Sequence, residues 1–356
     1  MKRQVFPIYI VLVAFGLMSA WGCAPKQVNC RCYCETSANS VSHEAAPSPG
    51  LDRKRPEKLK IPATFMSREV SPPSENEENP SELEHTPAPL NSSSQPQGAC
   101  SGEIKFKDRE MELAVRMLLK KPEGPVSASE VLKIEYFTNE AGGGKRIPIA
   151  DLTGIECFSN LTVIQIWSSK IVDLSPIRGL QKLTHIEIND SLVTNIQPVA
   201  SLPNLEELHL NKNKIKDISP LSSLTKLTLL GLDSNNIADA SPLRKVTSLK
   251  QLSLGNNQIR NIKFVEKSTA LEMLNIGGNK ISDISPLSGA LPQLRYLNIT
   301  KNPINDLTPL VKTLGGGIIY LEGLGIDCVK QKKLLESLSI KWHEMYIECP
   351  EFWSGV

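Results

Sequence analysis

Charge of one dominant sign is absent from this chain: 40 Lys and Arg face 38 Asp and Glu, for a formal net charge of +2. The basic residues are scattered, and no basic stripe interleaved with aromatics exists, which argues against nucleic acid as a partner. No Gly-rich turn links a strand to a helix; Gly142, Gly143 and Gly144 have neither the spacing nor the context of a phosphate cradle. No serine or cysteine stands in a nucleophile motif, and no convergent catalytic groups are visible. The chain therefore reads as a non-enzyme, with no catalytic residue and no cofactor assigned. Its 8 cysteines include no CxxC pair. Cys30, Cys32 and Cys34 alternate along an extended stretch without a companion histidine, a weak zinc pattern, so intermolecular disulfides are preferred and no metal ligand is assigned.

Against these absences stands a 22-residue pattern in seven copies, starting at Leu161, Leu183, Leu205, Leu227, Leu249, Leu271 and Leu294. Apolar residues fall at positions 1, 4, 6, 11, 14, 17 and 20, as in Leu205, Leu208, Leu210, Ile215, Ile218, Leu221 and Leu224. Ser268 is the sole polar intruder if one-residue slips to Leu291 and Leu314 are allowed. A repeat of this length marks a leucine-rich-repeat solenoid. Positions 3 to 7 alternate inward and outward, predicting short parallel strands stacked about 4.8 Å apart. Position 9 is Ser169, Ser191, Asn213, Asn235, Asn257, Asn279 and Asn302. A buried amide there can satisfy the backbone of the turn leaving each strand, and the two shorter serines should hold that turn less well. Position 16 is Pro176, Pro198, Pro220, Pro242, Phe264, Pro286 and Pro309, which suits a tight turn or short 3₁₀ segment on the convex side.

The wording DISPLSSLTKL, at 217–227, resembles the 22-residue repeats of bacterial internalins. Residues 106–134 resemble the internalin N-terminal cap, and 149–162 the partial repeat that joins cap to solenoid. The cap reads as a helix carrying Leu113, Val115, Met117, Leu118 and Leu119, a turn at Gly124 and Pro125, then a short helix from Ser127. The run Gly142–Gly144 departs from the usual tight join and reads as a flexible loop. Ile319, Leu321, Leu324 and Ile326 form a degenerate eighth repeat. The stretch 325–349 resembles a bacterial C-terminal cap of Cys, helix, strand and Cys, which implies a Cys328–Cys349 disulfide. The implied fold is an α/β solenoid: a horseshoe with a parallel concave sheet, a 3₁₀ and turn-rich convex side, a helical N-cap and a disulfide-closed C-cap.

The start of the chain predicts export. Lys2 and Arg3 precede an apolar run over 5–18, and Ala20 and Gly22 sit at −3 and −1 before Cys23. This arrangement resembles the lipidated cysteine of bacterial lipoproteins, although Ala20 and Trp21 depart from the usual residues. Cleavage without lipid and an uncleaved anchor remain the alternatives, since the run 5–22 is just long enough to span a bilayer. If the cell is Gram-negative, Ala24 implies outer-membrane sorting. Residues 35–99 are Pro-, Ser- and Glu-rich with no apolar period, and read as a disordered tether spanning about 45 Å as a coil. The organisation is then 1–22 signal peptide, 23–99 anchored Cys-rich start and linker, 100–138 N-cap, 139–326 repeats, and 327–356 C-cap. Cys100 and Cys157 could staple the N-cap to the partial repeat.

The outward positions of stacked strands are the default binding surface of a solenoid. They present Val163, His185, Glu207, Leu229, Met273 and Tyr296 at position 3; Gln165, Glu187 and His209 at position 5; and Trp167, Asn189, Asn211 and Asp233 at position 7. Trp167, Leu229, Met273 and Tyr296 are expected to be exposed there and suit hot-spot contacts, unless they only cover gaps between strands. The register sets His185 beside Glu207 and Glu187 beside His209, a checkerboard that reads as cross-strand charge pairing, with a metal or pH-sensitive site as the sharper alternative. Gly255, Asn256, Gly277 and Gly278 are expected to leave backbone accessible. The function expected is non-catalytic binding of a macromolecule, most readily a protein, by an envelope-anchored monomer. Glycan or peptidoglycan binding and an envelope scaffold are the alternatives.

Overall fold

A computed structural model describes residues 100–141, 144–313, 316–347 and 349. The export segment, Cys23, the Cys30/Cys32/Cys34 run and the tether lie outside the described residues. Within them, ten strands form one sheet in strict chain order, every neighbouring pair parallel. They are β1 (Tyr136–Thr138), β2 (Val163–Trp167), β3 (His185–Asn189), β4 (Glu207–His209), β5 (Leu229–Gly231), β6 (Gln251–Ser253), β7 (Met273–Asn275), β8 (Tyr296–Asn298), β9 (Ile318–Tyr320) and β10 (Glu344–Tyr346). The register is the one the repeat dictates: Val163 faces His185 and His185 faces Glu207. Residues 22 apart in sequence thus become lateral neighbours.

One continuous apolar core runs from Ile104 in the N-cap to Cys349 in the C-cap. Burying each leucine contributes about 1.5–3 kcal/mol, so the repeats are held chiefly by their own stacking. The two polar core positions are satisfied locally. Ser268, 1% exposed, donates its hydroxyl to the Phe264 carbonyl at 3.3 Å. In the last full copy Thr313, fully buried, takes the slot expected for Leu314 and donates to the Leu287 carbonyl at 3.0 Å. Leu314 itself lies outside the described residues.

The asparagine ladder forms as the pattern predicts. Asn235 donates to the carbonyls of Leu210 and Leu232, at 2.9 and 3.0 Å, and accepts from the Ile215 amide at 3.0 Å. Each rung therefore ties its own strand to the preceding copy. The serine rungs differ from one another. Ser169 is supported by Asn139, whose amide donates to the carbonyls of Ile147 and Trp167, whereas the buried Ser191 hydroxyl has no partner. Every full copy also bends through a left-handed residue at position 8: Ser168, Asp190, Lys212, Ser234, Asn256, Gly278 and Lys301, with φ from +50 to +65. For non-glycine residues this conformation costs about 1 kcal/mol, offset by the strand-to-ladder bend it makes. On the convex side the expected short 3₁₀ segments form, from Ser175–Ile177 to Thr308–Lys312. An Asp or Asn two residues ahead of each caps its first amide, as Asp217 does for Ser219 at 2.8 Å.

Both ends are sealed. Helix α1 (Arg109–Leu119) buries Met111, Ala114 and Val115 against the solenoid. Leu113 and Met117, on the opposite helical face, are 45% and 43% exposed. Asp108 caps α1 through the Glu110 amide and also accepts from the Asp151 amide of the partial repeat. Helix α2 (Ala128–Val131) begins with a capping box of Ser127 and Glu130. Cys100 and Cys157 form a disulfide that staples the N-cap to the partial repeat, and Cys328 and Cys349 form another around α3 (Lys332–Lys341) and β10. Such bonds persist in oxidising compartments and are rare in the cytosol. No helix among the described residues is long and apolar enough to cross a membrane.

Candidate binding face

From β2 to β6 the concave face holds a depression of about 510 Å³, lined by Val163, Gln165, His185, Glu187, Glu207, His209, Leu229 and Gln251, with Ile164 and Ile186. Glu187 is 7% exposed and is held by neutral donors. The Trp167 indole donates to it at 2.7 Å, the Asn189 amide at 2.8 Å and the Gln165 amide at 3.3 Å. Burial raises its pKa above the ordinary carboxylate value, against the pull of the Trp167 and Asn189 hydrogen bonds. A hairpin closed by pairing of Glu140 with Arg146 lays the Arg146 guanidinium over the Trp167 ring, 5.2 Å from its centroid. The Tyr136 hydroxyl donates to Gln165. Gly144, with φ +78, belongs to that hairpin; Gly142 and Gly143 lie outside the described residues.

Only half of the expected checkerboard forms. His185 Nε2 lies 3.2 Å from Glu207 Oε1, with both side chains about 40% exposed. Glu187 and His209 are opposite in register, yet Glu187 spends its oxygens on Trp167, Asn189 and Gln165, and His209 Nδ1 has no partner. The reason is Gly231 on the next strand. With no side chain there, the His209 ring lies over the gap, and a Cβ at 231 would sit 2.7 Å from Nδ1. Burial, helped by His185, drops the His209 pKa to about 4, so the ring is neutral at pH 7. Among the described residues, no group of three or more His, Cys, Asp or Glu converges to hold a metal ion.

Position 7 is a brace more than a contact surface. Asn189 accepts from the Asn211 amide, Asn211 from the Asp233 amide, and Asp233 from the Gly255 amide, at 2.8, 2.8 and 2.5 Å. Asp233 is 2% exposed and also accepts from the Ser253 hydroxyl at 2.5 Å; burial lifts its pKa to about 6. Gly255 and Gly277 do not leave open backbone as expected. Both are buried, because Asp233 and Asn275 lie over the first, and Asn298 and Thr300 over the second.

Two of the four expected hot-spot residues are covered. Met273 is 2% and Tyr296 6% exposed, in a small cluster with Leu229, Ile318 and Tyr320. Tyr320 tilts against Tyr296, with centroids 5.4 Å apart, and stacks on Tyr346 at 4.6 Å. Trp167 and Leu229 stay half-buried, Leu229 on the wall of the depression. Sequence reasoning missed Tyr320, Tyr346 and Arg146. The tyrosines sit in a degenerate repeat and a cap strand with no outward register to read, and Arg146 arrives on a hairpin outside the repeat.

The family profile "Leucine Rich repeats (2 copies)" matches residues 181–223, 203–245, 225–267 and 269–312. Internalin C2 from Listeria monocytogenes is similar in structure, with a TM-score of 0.55 and 30% identity over 61% of this chain and 95% of that one. Internalin InlF from the same organism matches with 24% identity, 70% and 93% coverage and a TM-score of 0.46. InlJ, also from L. monocytogenes, matches at 19% identity over 70% of this chain and 62% of that one, with a TM-score of 0.45. No curated protein matches in sequence. The chain belongs to the internalin-type leucine-rich-repeat proteins. Repeat solenoids of this kind present extended surfaces for binding other proteins.

Proposed function

We propose that this is an exported protein, lipid-anchored at Cys23, that holds its solenoid away from the membrane on the stretch 35–99. In this reading it binds a protein partner, without catalysis, through the concave face between β2 and β6. The observation that supports it most is the state of the side chains there. Val163, Gln165, His185, Glu207, Leu229 and Gln251 stay partly accessible around a depression, while braces beneath them fix their positions. A preorganised surface loses little freedom on binding, which favours affinity. The two disulfides agree with an exported domain. The test is capture from envelope extracts by the full-length protein. A set altered on this face (Gln165→Ala, Glu207→Ala, Gln251→Ala) should lose the captured species, and a convex set (Lys216→Ala, Arg260→Ala) should retain it. Equal capture by both sets would exclude the concave face. Recovery of carbohydrate instead of protein would transfer the face to a glycan. Fatty-acid labelling that survives Cys23→Ser would remove the anchor.

A further inference from the structure

The concave-face reading leaves open what the depression accepts, and its acceptor balance is informative. Glu187 and Glu207 both line it, and no lysine or arginine of the described residues does, although Arg146, over the Trp167 ring, acts on Glu187 through its charge. All three donors that hold Glu187 are neutral groups. Among the described residues Glu207 pairs with the His185 ring, whose Nδ1 is tied to the Thr184 hydroxyl at 2.7 Å. Two further polar atoms in the lining are buried without a partner: Gln251 Oε1, which can only accept, and Nδ1 of His209, a residue 7% exposed. The unpaired Gln251 oxygen is a standing cost that a ligand donor removes, and His209 Nδ1 joins it as an acceptor in the Nε2–H tautomer. Val163 and Leu229 supply apolar walls beside these acceptors.

We infer that this depression receives a basic side chain from the partner protein, best an arginine, with its guanidinium between Glu187, Glu207 and Gln251. A guanidinium offers five donors in a planar fork, and its aliphatic stem suits the Val163 and Leu229 walls. Charge complementarity selects this occupant over an acidic or neutral one.

The probe is agmatine, a guanidinium on a short aliphatic chain that ends in an ammonium, observed by saturation-transfer NMR on the full-length protein. Glutarate and an N-acetylglucosamine trimer serve as comparison ligands. Agmatine should receive saturation and the other two should not. Glu207→Gln, at a half-exposed position that the fold tolerates, should weaken agmatine roughly tenfold. Glu187→Gln should do the same, and Glu206→Gln, on the exposed flank, should change nothing. Agmatine and glutarate binding alike, or both pocket variants binding agmatine as the wild type does, would overturn the inference. Saturation reaching only the sugar would overturn it in favour of a glycan. If Glu207→Gln captures the envelope partner normally while the wider concave set does not, this inference falls and the concave-face reading stands.

Discussion

From β2 to β6 the concave face keeps carboxylates, amides and imidazoles around an open depression, whereas from β7 to β10 the same sheet closes over itself with Met273, Tyr296, Tyr320 and Tyr346. Backbone register is continuous across both halves, so the side chains, by their volumes and hydrogen bonds, separate them. Tyrosines on successive strands are long enough to cover one another. In the first half His209 and Asp233 instead fold down over Gly231 and Gly255. An outward-pointing residue is therefore available only where its neighbours are too short or too committed to cover it.

The largest effect should come from breaking the covered half. Tyr296→Ala removes a side chain 6% exposed and packed on Met273 and Tyr320, and should cost about 4 kcal/mol in chemical denaturation. Leu229, a wall of the depression, also packs on this cluster, so agmatine binding should weaken slightly and far less than with Glu207→Gln. A parallel loss of both would mean that the halves are not independent.

Titration sharpens the contrast next. His209 binds its proton near 6.5 when unfolded and near 4 when folded. Its stabilising contribution is whole above 6.5 and is lost as pH falls toward 4. Asp233 behaves oppositely: its folded pKa of about 6 lies above 3.8, so its contribution is whole below 3.8 and is lost as pH rises through 6. Each is worth at most about 3 kcal/mol, and between pH 4 and 6 they oppose each other. Relative to wild type, His209→Gln should therefore gain stability at pH 4.5 and little at 7.5. Asp233→Asn should gain at pH 7.5 and little at 4.5. Urea denaturation at the two pH values checks the crossing, and differences that ignore pH would refute the burial argument.

The smallest effect lies under the open half. The Ser191 hydroxyl has no partner, while asparagine at the equivalent rungs makes several bonds to two copies. Ser191→Asn should stabilise by about 1 kcal/mol, read as a raised denaturation midpoint with unchanged slope. No change would mean that this rung cannot accept the longer amide.

Much of the fold was legible because a solenoid turns sequence period into contact. Leu208 is buried for the same reason as Leu230 and Leu252, and the Asn235 rung repeats as Asn257 and Asn279. The His185–Glu207 pair was legible by the same register. The Glu187–His209 pair failed because an indole two residues beyond Gln165 and a glycine one strand away redirected both partners. Thr313 is tolerated in the core because its hydroxyl reaches the Leu287 carbonyl, which compensates for its polarity. Arg146 and the Tyr320–Tyr346 stack lie outside the full repeats, where no period predicts a neighbour.

By itself the amino-acid order determined the curved rod, its leucine interior, its asparagine ladder and the proline-led turns of its outer side, since each depends on spacing within one copy or between adjacent copies. Only the folded molecule decided which outward side chains meet solvent. That choice depends on the volumes and hydrogen-bond commitments of residues 20 to 42 positions away, which become neighbours only once the strands have stacked.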